Sequence, residues 1–321
     1  MALPASGEIS LRDVNAELGR TSTSEIAMKA AEEGTYATIN TGSSSYPDGV
    51  APYELSEWYS YDHSASSNSK YWSFSSSGQG LVFQRASGTT LSTGNDMCVS
   101  LWIRPEWSAT DVNAMLWEFN NSLTATSNRF FLLYDYGLNR LVARFRTNSI
   151  NSRGTHWNLS SNSSQTGITS GNWHSGNVGN VNSDGLAHIV LTYDSSATSG
   201  STAFECYWNG VKMPNKLTNL TGTIFNFNLE TAAINRTAND TGSARESKYD
   251  NVALFHNKML SQAEITALYN SGTSLPPADV SEDDNVAFLF DAENDPPTAT
   301  SGDDYTTAWT NTTDSGSAVS Y

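Results

Sequence analysis

Residues 97–104 read Met-Cys-Val-Ser-Leu-Trp-Ile-Arg. Val99, Leu101 and Ile103 share one side of an extended chain, and Cys98, Ser100 and Trp102 share the other. Both sides carry apolar groups, so this strand is expected to be covered on both faces. Similar runs follow at 114–119, 129–134, 141–146, 188–193, 203–208, 231–235 and 251–255. Earlier, Tyr71-Trp-Ser-Phe and Gly80-Leu-Val-Phe read as a strand pair around a glycine-containing turn. Asn209-Gly210 and Ser183-Asp-Gly185 punctuate the later runs. Many short strands at this spacing predict a mainly β chain, a two-sheet antiparallel sandwich.

One helix interrupts the strands. Ser261-Gln-Ala-Glu264 is a capping box, Ile265, Leu268 and Tyr269 form an apolar stripe, and Gly272 stands where a helix stops. The chain before the strands has a helical texture. Ser10-Leu-Arg-Asp13 resembles a capping box and is followed by Leu11, Val14 and Leu18 on one face, then Gly19. Ser22-Thr-Ser-Glu25 opens a second short helix, and Leu55, Trp58 and Tyr59 have i, i+3, i+4 spacing. Helices this short need one another, the sandwich or a partner to pack on. The organisation expected is a helical module at 1–63, a sandwich at 64–276 and an acidic extension at 277–321. In the extension only residues 286–290 read as a strand.

Composition bounds the function. Nine Trp, fourteen Tyr and twelve Phe supply a core despite an apolar fraction of 38%. The net charge is −16 with only 17 Lys and Arg, and no basic cluster appears along the sequence, which excludes a nucleic-acid groove. No apolar run is long enough to insert in a membrane, and the first residues lack the pattern of a secretory signal. Cys98 and Cys206 each fall inside a strand and read as buried thiols in preference to one bridge.

The order of segments resembles a laminin-G-like, concanavalin-A-like jelly roll. Carrying this are Phe74-Ser-Ser-Ser-Gly-Gln-Gly-Leu-Val-Phe83, Val99-Ser-Leu-Trp-Ile-Arg-Pro105 and Ala187-His-Ile-Val-Leu-Thr-Tyr-Asp194. They are followed by Cys206-Tyr-Trp-Asn-Gly-Val211, Tyr249-Asp-Asn-Val-Ala-Leu-Phe255 and Leu260-Ser-Gln-Ala-Glu-Ile-Thr-Ala-Leu-Tyr-Asn270. Residues 6–19 and 52–63 are similar to a helical module of tailed-bacteriophage structural proteins, with Trp58 in place of the usual Phe and Ser60 in place of the usual Gly. This second resemblance implies a virion component, assembled in the host cytoplasm, a tail or neck fibre, adhesin or head-decoration protein. Ile9, Leu11, Val14, Leu18, Trp58 and Tyr59 would then dock on other virion proteins, and a homo-oligomer is expected.

Catalysis finds little support. No metalloprotease, phosphate-loop or nucleophile-elbow motif is present. Glu118 and Glu205 are isolated strand carboxylates, read as exposed sheet-face residues. A glycan-degrading enzyme would need two carboxylates projecting together. None of the five His has a partner at metal-ligand spacing, and His188 is expected to make a structural hydrogen bond. No cofactor is required. Calcium is the one cation the resemblance suggests, with Asp135, Asn139 and Asp194 as ligands; turn chemistry is the competing reading. Residues 148–182 exceed ordinary loop length and contain Trp157, Trp173 and His174 among Asn, Ser and Gly. They could contact a host surface glycan or a neighbouring subunit, or both Trp could bury against the sandwich. The leading expectation is thus a non-enzymatic virion protein displaying a lectin-like jelly roll, with a carbohydrate-binding adhesin as the alternative.

Overall fold

The central strand at 97–104 sits inside a sheet, as its two apolar faces require. The computed structural model describes the chain except residues 1–2, 5, 38, 40–45, 48, 62, 64–69, 86–90, 110–112, 123–127, 147–151, 183–184, 198–202, 222–226, 239–241, 270–283, 293–297, 301–308, 314–316 and 321. Gly272 and the connector at 64–69 therefore lie outside the described residues. In chain order the strands are β1 Lys70–Phe74, β2 Leu81–Arg85, β3 Met97–Pro105, β4 Ala114–Asn120, β5 Arg129–Asp135 and β6 Arg140–Arg146. Then come β7 Ser152–Asn158, β8 Ala187–Tyr193, β9 Phe204–Trp208, β10 Val211–Lys212, β11 Lys216–Thr221 and β12 Thr231–Ile234. The last are β13 Ser247–His256, β14 Val286–Asp291, β15 Thr298–Thr300, β16 Trp309–Thr313 and β17 Ser317–Ser320.

They form two antiparallel sheets. The first runs β10-β9-β8-β3-β13-β1-β17, with β14 and β15 attached through β13; the second runs β11-β7-β6-β5-β4-β12-β2-β16. Between them lies one core, built from Val99, Leu101, Ile189, Leu191, Tyr249 and Leu254 on one side and Phe119, Phe130, Leu132, Leu141 and Phe145 on the other. This is the two-sheet sandwich that the alternation predicts. The outer face of the first sheet is also covered. Cys98, Val190, Ala253 and Phe255 meet Leu260 and Ile265, so the helix Gln262–Tyr269 shields the back of β3, β8 and β13. Burying Ile265 fully contributes roughly 1.5–3 kcal/mol to holding that helix in place. Its capping box is formed: Glu264 accepts from the Ser261 backbone N at 2.7 Å, and the Glu264 backbone N donates to Ser261 Oγ at 3.3 Å.

Three expectations change. β1 and β2 are not a hairpin: β1 pairs with β13 in one sheet and β2 with β12 in the other. Gln79 Oε1 accepts from the backbone N of Ser75 and Ser76, which shapes the link into a crossover between sheets instead of a tight turn. The strand expected at 286–290 forms as β14 beside β13, with Phe288 and Phe290 in the core. The rest of the extension is not an irregular tail: β15 pairs with β14, β16 pairs with β2, and Trp309 Nε1 donates to Ala287 O at 2.9 Å. Residues 148–182 are not one long loop, because Ser152–Asn158 within them form β7, paired to β6 along its whole length.

The chain divides into two compact units, Met1–Ser69 together with Ser320–Tyr321, and Lys70–Val319. In the first, the helix Leu11–Glu17 carries the Ser10/Asp13 capping box, as expected. The second helix is shorter than its pattern, Met28–Glu32, and starts without a side-chain cap. Residues Leu55–Trp58 form a 3₁₀ turn. Val14, Leu18 and Trp58 are buried with Leu3, Ala31 and Tyr61 in this unit's own core, and Trp58 Nε1 donates to Glu32 Oε1. Those three side chains are therefore spent on folding and do not form a docking surface. Ile9 and Tyr59 are half-buried, with Tyr59 Oη donating to Gly7 O at 2.6 Å. Leu11 remains 40% exposed.

Candidate functional site

The hairpin β9–β10 turns at Asn209-Gly210, where both residues have positive φ (49° and 76°), the backbone that a two-residue hairpin turn needs. Asn209 is then locked in place. Its Oδ1 accepts from the His188 backbone N at 2.8 Å, and its Nδ2 donates to Asn180 O at 3.1 Å. Trp208 Nε1 donates to the same carbonyl at 2.8 Å. Asn180 in turn donates through its backbone N to Thr166 O and through Nδ2 to Gln165 O. Two glycines allow these segments to touch. A Cβ on Gly179 would stand 2.2 Å from Thr166 O, and one on Gly167 would stand 2.4 Å from Asn180 Oδ1.

The helix Gln262–Tyr269 closes the arrangement. Gln262 Nε2 donates to Gly210 O at 2.7 Å, and the Tyr269 side chain lies against Gly210. The Tyr269 ring is nearly parallel to Trp102, centroids 5.8 Å apart, and to His188, 6.1 Å apart. The result is an open groove of about 480 Å³ lined by Ser164, Gln165, Gly179, Asn180, Val181, Trp208, Asn209, Val211 and Tyr269. No charged side chain lines it. Its apolar surface is Val211, which is 54% exposed, Val181 and the half-buried Tyr269 ring. Its polar surface is hydroxyl and amide. Such a lining can stack on an uncharged ring and exchange neutral hydrogen bonds.

Residues 148–182 supply one wall of this groove, but not through the side chains singled out in the sequence. Trp157 and Trp173 are fully buried in the core, so neither offers a ring to a ligand. Trp173 packs edge-on against Trp107 and Trp208 and donates from Nε1 to Val178 O. His174 is half-buried and its Nδ1 accepts from Gly176 N within its own turn. All nine Trp of the chain are buried, which leaves Tyr269 as the ring presented here.

Asp135, Asn139 and Asp194 are not brought together. Asp135 pairs with Arg140 at 3.0 Å; Asn139 accepts from Tyr134 Oη and donates to Gly171 O. Asp194 accepts from the backbone N and Oγ of Ser196. Tyr193 packs on Phe130 near the start of β5, whereas Asp135 ends that strand, about 16 Å further along. No cluster of three acidic, His or Cys side chains suited to a metal occurs among the described residues.

The isolated carboxylates are also occupied. Glu118 is buried, not an exposed sheet-face residue as its sequence context implies. It is ion-paired with Arg129 and accepts from Asn120 Nδ2 and the Ala238 backbone N. Burial pushes its carboxyl up, and Arg129 pulls it back. Glu205 pairs with Lys212 and Lys216. His188 lies fully buried with Nε2 2.8 Å from Ser100 Oγ, and burial lowers its pKa to about 3. Cys98 and Cys206 are free thiols on opposite faces of the first sheet, which rules out a bridge between them. Burial pushes Cys98 up to about 12.

No protein-family model matches the chain, and no curated protein matches it. Solved structures that share part of its path include the botulinum neurotoxin serotype D ligand-binding domain in complex with N-acetylneuraminic acid. That match has 12% identity and a TM-score of 0.43, covering 63% of this chain and 42% of that one. The binding domain of Paraclostridial Mosquitocidal Protein 1 is 17% identical, with a TM-score of 0.40, covering 61% and 42%. A sialidase of Trypanosoma rangeli is 14% identical, with a TM-score of 0.38, covering 62% and 27%. The chain spans about half or less of the length of these proteins. Two of the three are binding domains and one an enzyme; at this level of likeness no function follows for this chain.

Proposed function

We propose that this chain is a non-catalytic, lectin-like module that binds a saccharide in the groove beside Tyr269. The observation that carries the reading is the charge-free groove itself: a fixed aromatic ring flanked by Val181 and Val211 and rimmed by Ser164, Gln165, Asn180 and Asn209. A sugar presents an apolar ring face and hydroxyl edges, and this lining complements both. That Glu118 and Glu205 stand in separate ion pairs supports binding over hydrolysis, which needs two carboxylates projecting together. A glycan array probed with the full chain and with Tyr269→Ala tests the reading. Binding to a defined set of glycans that the substitution abolishes is expected. Binding that Tyr269→Ala leaves intact, or release of free sugar from any bound glycan, would overturn it.

The second reading concerns where the module is displayed. The resemblance of residues 6–19 and 52–63 to tailed-phage structural proteins supports attachment to a virion through the first unit. That unit has its own core and leaves Leu11 exposed. Deleting residues 1–63 should then prevent incorporation into particles. Particles carrying the shortened chain at full occupancy would remove this reading and leave the groove unaffected.

A further inference from the structure

The sequence has no run of basic residues, yet the second sheet assembles one across strands. On β6, Arg140, Val142, Arg144 and Arg146 share the face turned away from the core, because Leu141, Ala143 and Phe145 face inward. The register sets Arg129 of β5 beside Arg146 and Phe131 beside Arg144. On the other side of Arg144 stands Gly154 of β7, which has no side chain to offer. Four of the chain's 17 basic residues thus occupy one face of an otherwise acidic protein.

These cations are not equally satisfied. Arg140 is paired with Asp135 and Arg129 with Glu118. Arg144 has no hydrogen bond or ion pair among the described residues, and its Nε is buried without a partner. Burial lowers its pKa, the nearby Arg146 and Arg140 lower it further, and Asp135 opposes them with a smaller effect. A half-buried guanidinium facing other cations is costly unless an anion joins it. From Arg140 to Arg146 the row extends about 20 Å along the strand, the reach of a chain ligand rather than one small ion.

We propose that the outer face of the second sheet, centred on Arg144, binds an acidic polysaccharide through its carboxylates. Charge density favours this occupant over a nucleic acid. A duplex carries one charge per about 1.7 Å; a protein of net charge −16 repels both polyanions, but the more densely charged duplex more strongly. An acidic polysaccharide with a single carboxylate per sugar can place one carboxylate at Arg144 while leaving the Arg140–Asp135 and Arg129–Glu118 pairs in place. Phe131 and His156, rings on this face, are both buried and offer no platform for stacking bases. The site is independent of the groove at Tyr269, which is built on the other sheet and the loop at 159–182.

Affinity electrophoresis of the full chain in gels cast with polygalacturonate, neutral dextran or single-stranded DNA tests it. Retardation by polygalacturonate alone is expected, weakening as salt is added. Arg144→Ala should lower that affinity about tenfold or more, the worth of one charge-assisted contact. Arg144→Lys, which keeps the charge, should retain part of it, and Tyr269→Ala should change nothing. Near-UV circular dichroism matching the parent shows that the variants fold. Undiminished retardation of folded Arg144→Ala would overturn the proposal, as would equal retardation by dextran. Equal or stronger retardation by DNA would overturn it in favour of a nucleic-acid face.

Discussion

Tyr269 and Trp102 stack with centroids 5.8 Å apart and planes 18° from parallel, so the helix Gln262–Tyr269 presents its last ring from a fixed support on β3. A ring held before ligand arrives loses little freedom on binding. Tyr269→Phe keeps the stack and should retain saccharide affinity within about threefold, whereas Tyr269→Ala should lose about tenfold or more. Titration calorimetry with the strongest array ligand distinguishes these outcomes.

The groove wall depends on Gly179. Its φ is +78°, and any Cβ would press on Thr166 O. Gly179→Ala combines a left-handed backbone penalty with overpacking and should destabilise the second unit by about 3 kcal/mol. Chemical denaturation measures this. A loss below about 0.5 kcal/mol would mean that the two segments do not approach as closely as described.

His188 links stability to pH. Its folded pKa is about 3, against an ordinary value of 6.5. The unfolded chain therefore takes up the proton first as pH falls. Stability from keeping His188 neutral is complete above about pH 6.5 and is lost steadily toward pH 3. Between pH 7 and 5 the loss should be about 2 kcal/mol. His156 and His256, also lowered by burial, act in the same direction. In His188→Gln the overall stability will differ, but the decline between pH 7 and 5 should be about 2 kcal/mol shallower. An unchanged slope would show that His188 is protonated at little cost.

Glu118 and Arg129 form a buried pair on the outer face of the second sheet. Arg129→Met leaves a carboxylate surrounded by Asn120 and the Ala238 amide without its cation, and should cost about 3–5 kcal/mol. The double change Glu118→Gln with Arg129→Met should recover most of that loss. A double mutant no more stable than Arg129→Met would show that the pair's loss is not one of unbalanced charge.

The central strands were legible because short runs apolar on both sides report burial on both faces directly, as at Met97–Pro105 and Ala187–Tyr193. Sheet assignment was not. Leu81–Arg85 reads like a hairpin partner of Lys70–Phe74, and only tertiary pairing sends it to the opposite sheet. In the extension the apolar run at 286–290 was legible as a strand, whereas polar residues around Trp309 hid β16, whose apolar anchor is a single buried ring. Trp157 and Trp173 looked like binding residues because their neighbours are polar, yet those neighbours bond to one another and to the backbone while the rings turn inward. The groove joins residues 164–165, 179–181, 208–211 and 269, four segments with no shared local pattern. Its traces were the Asn209-Gly210 turn and the capped helix, each legible as structure but neither as a site. The arginine face likewise exists only through the register of β5, β6 and β7.

Hydrogen exchange of the full chain, with and without the strongest glycan from the array, tests the central claim most directly. Slowed exchange confined to residues 164–181, 208–211 and 262–269 is the expected result. Saturating glycan that slows exchange elsewhere, and leaves those three segments unchanged, would contradict it.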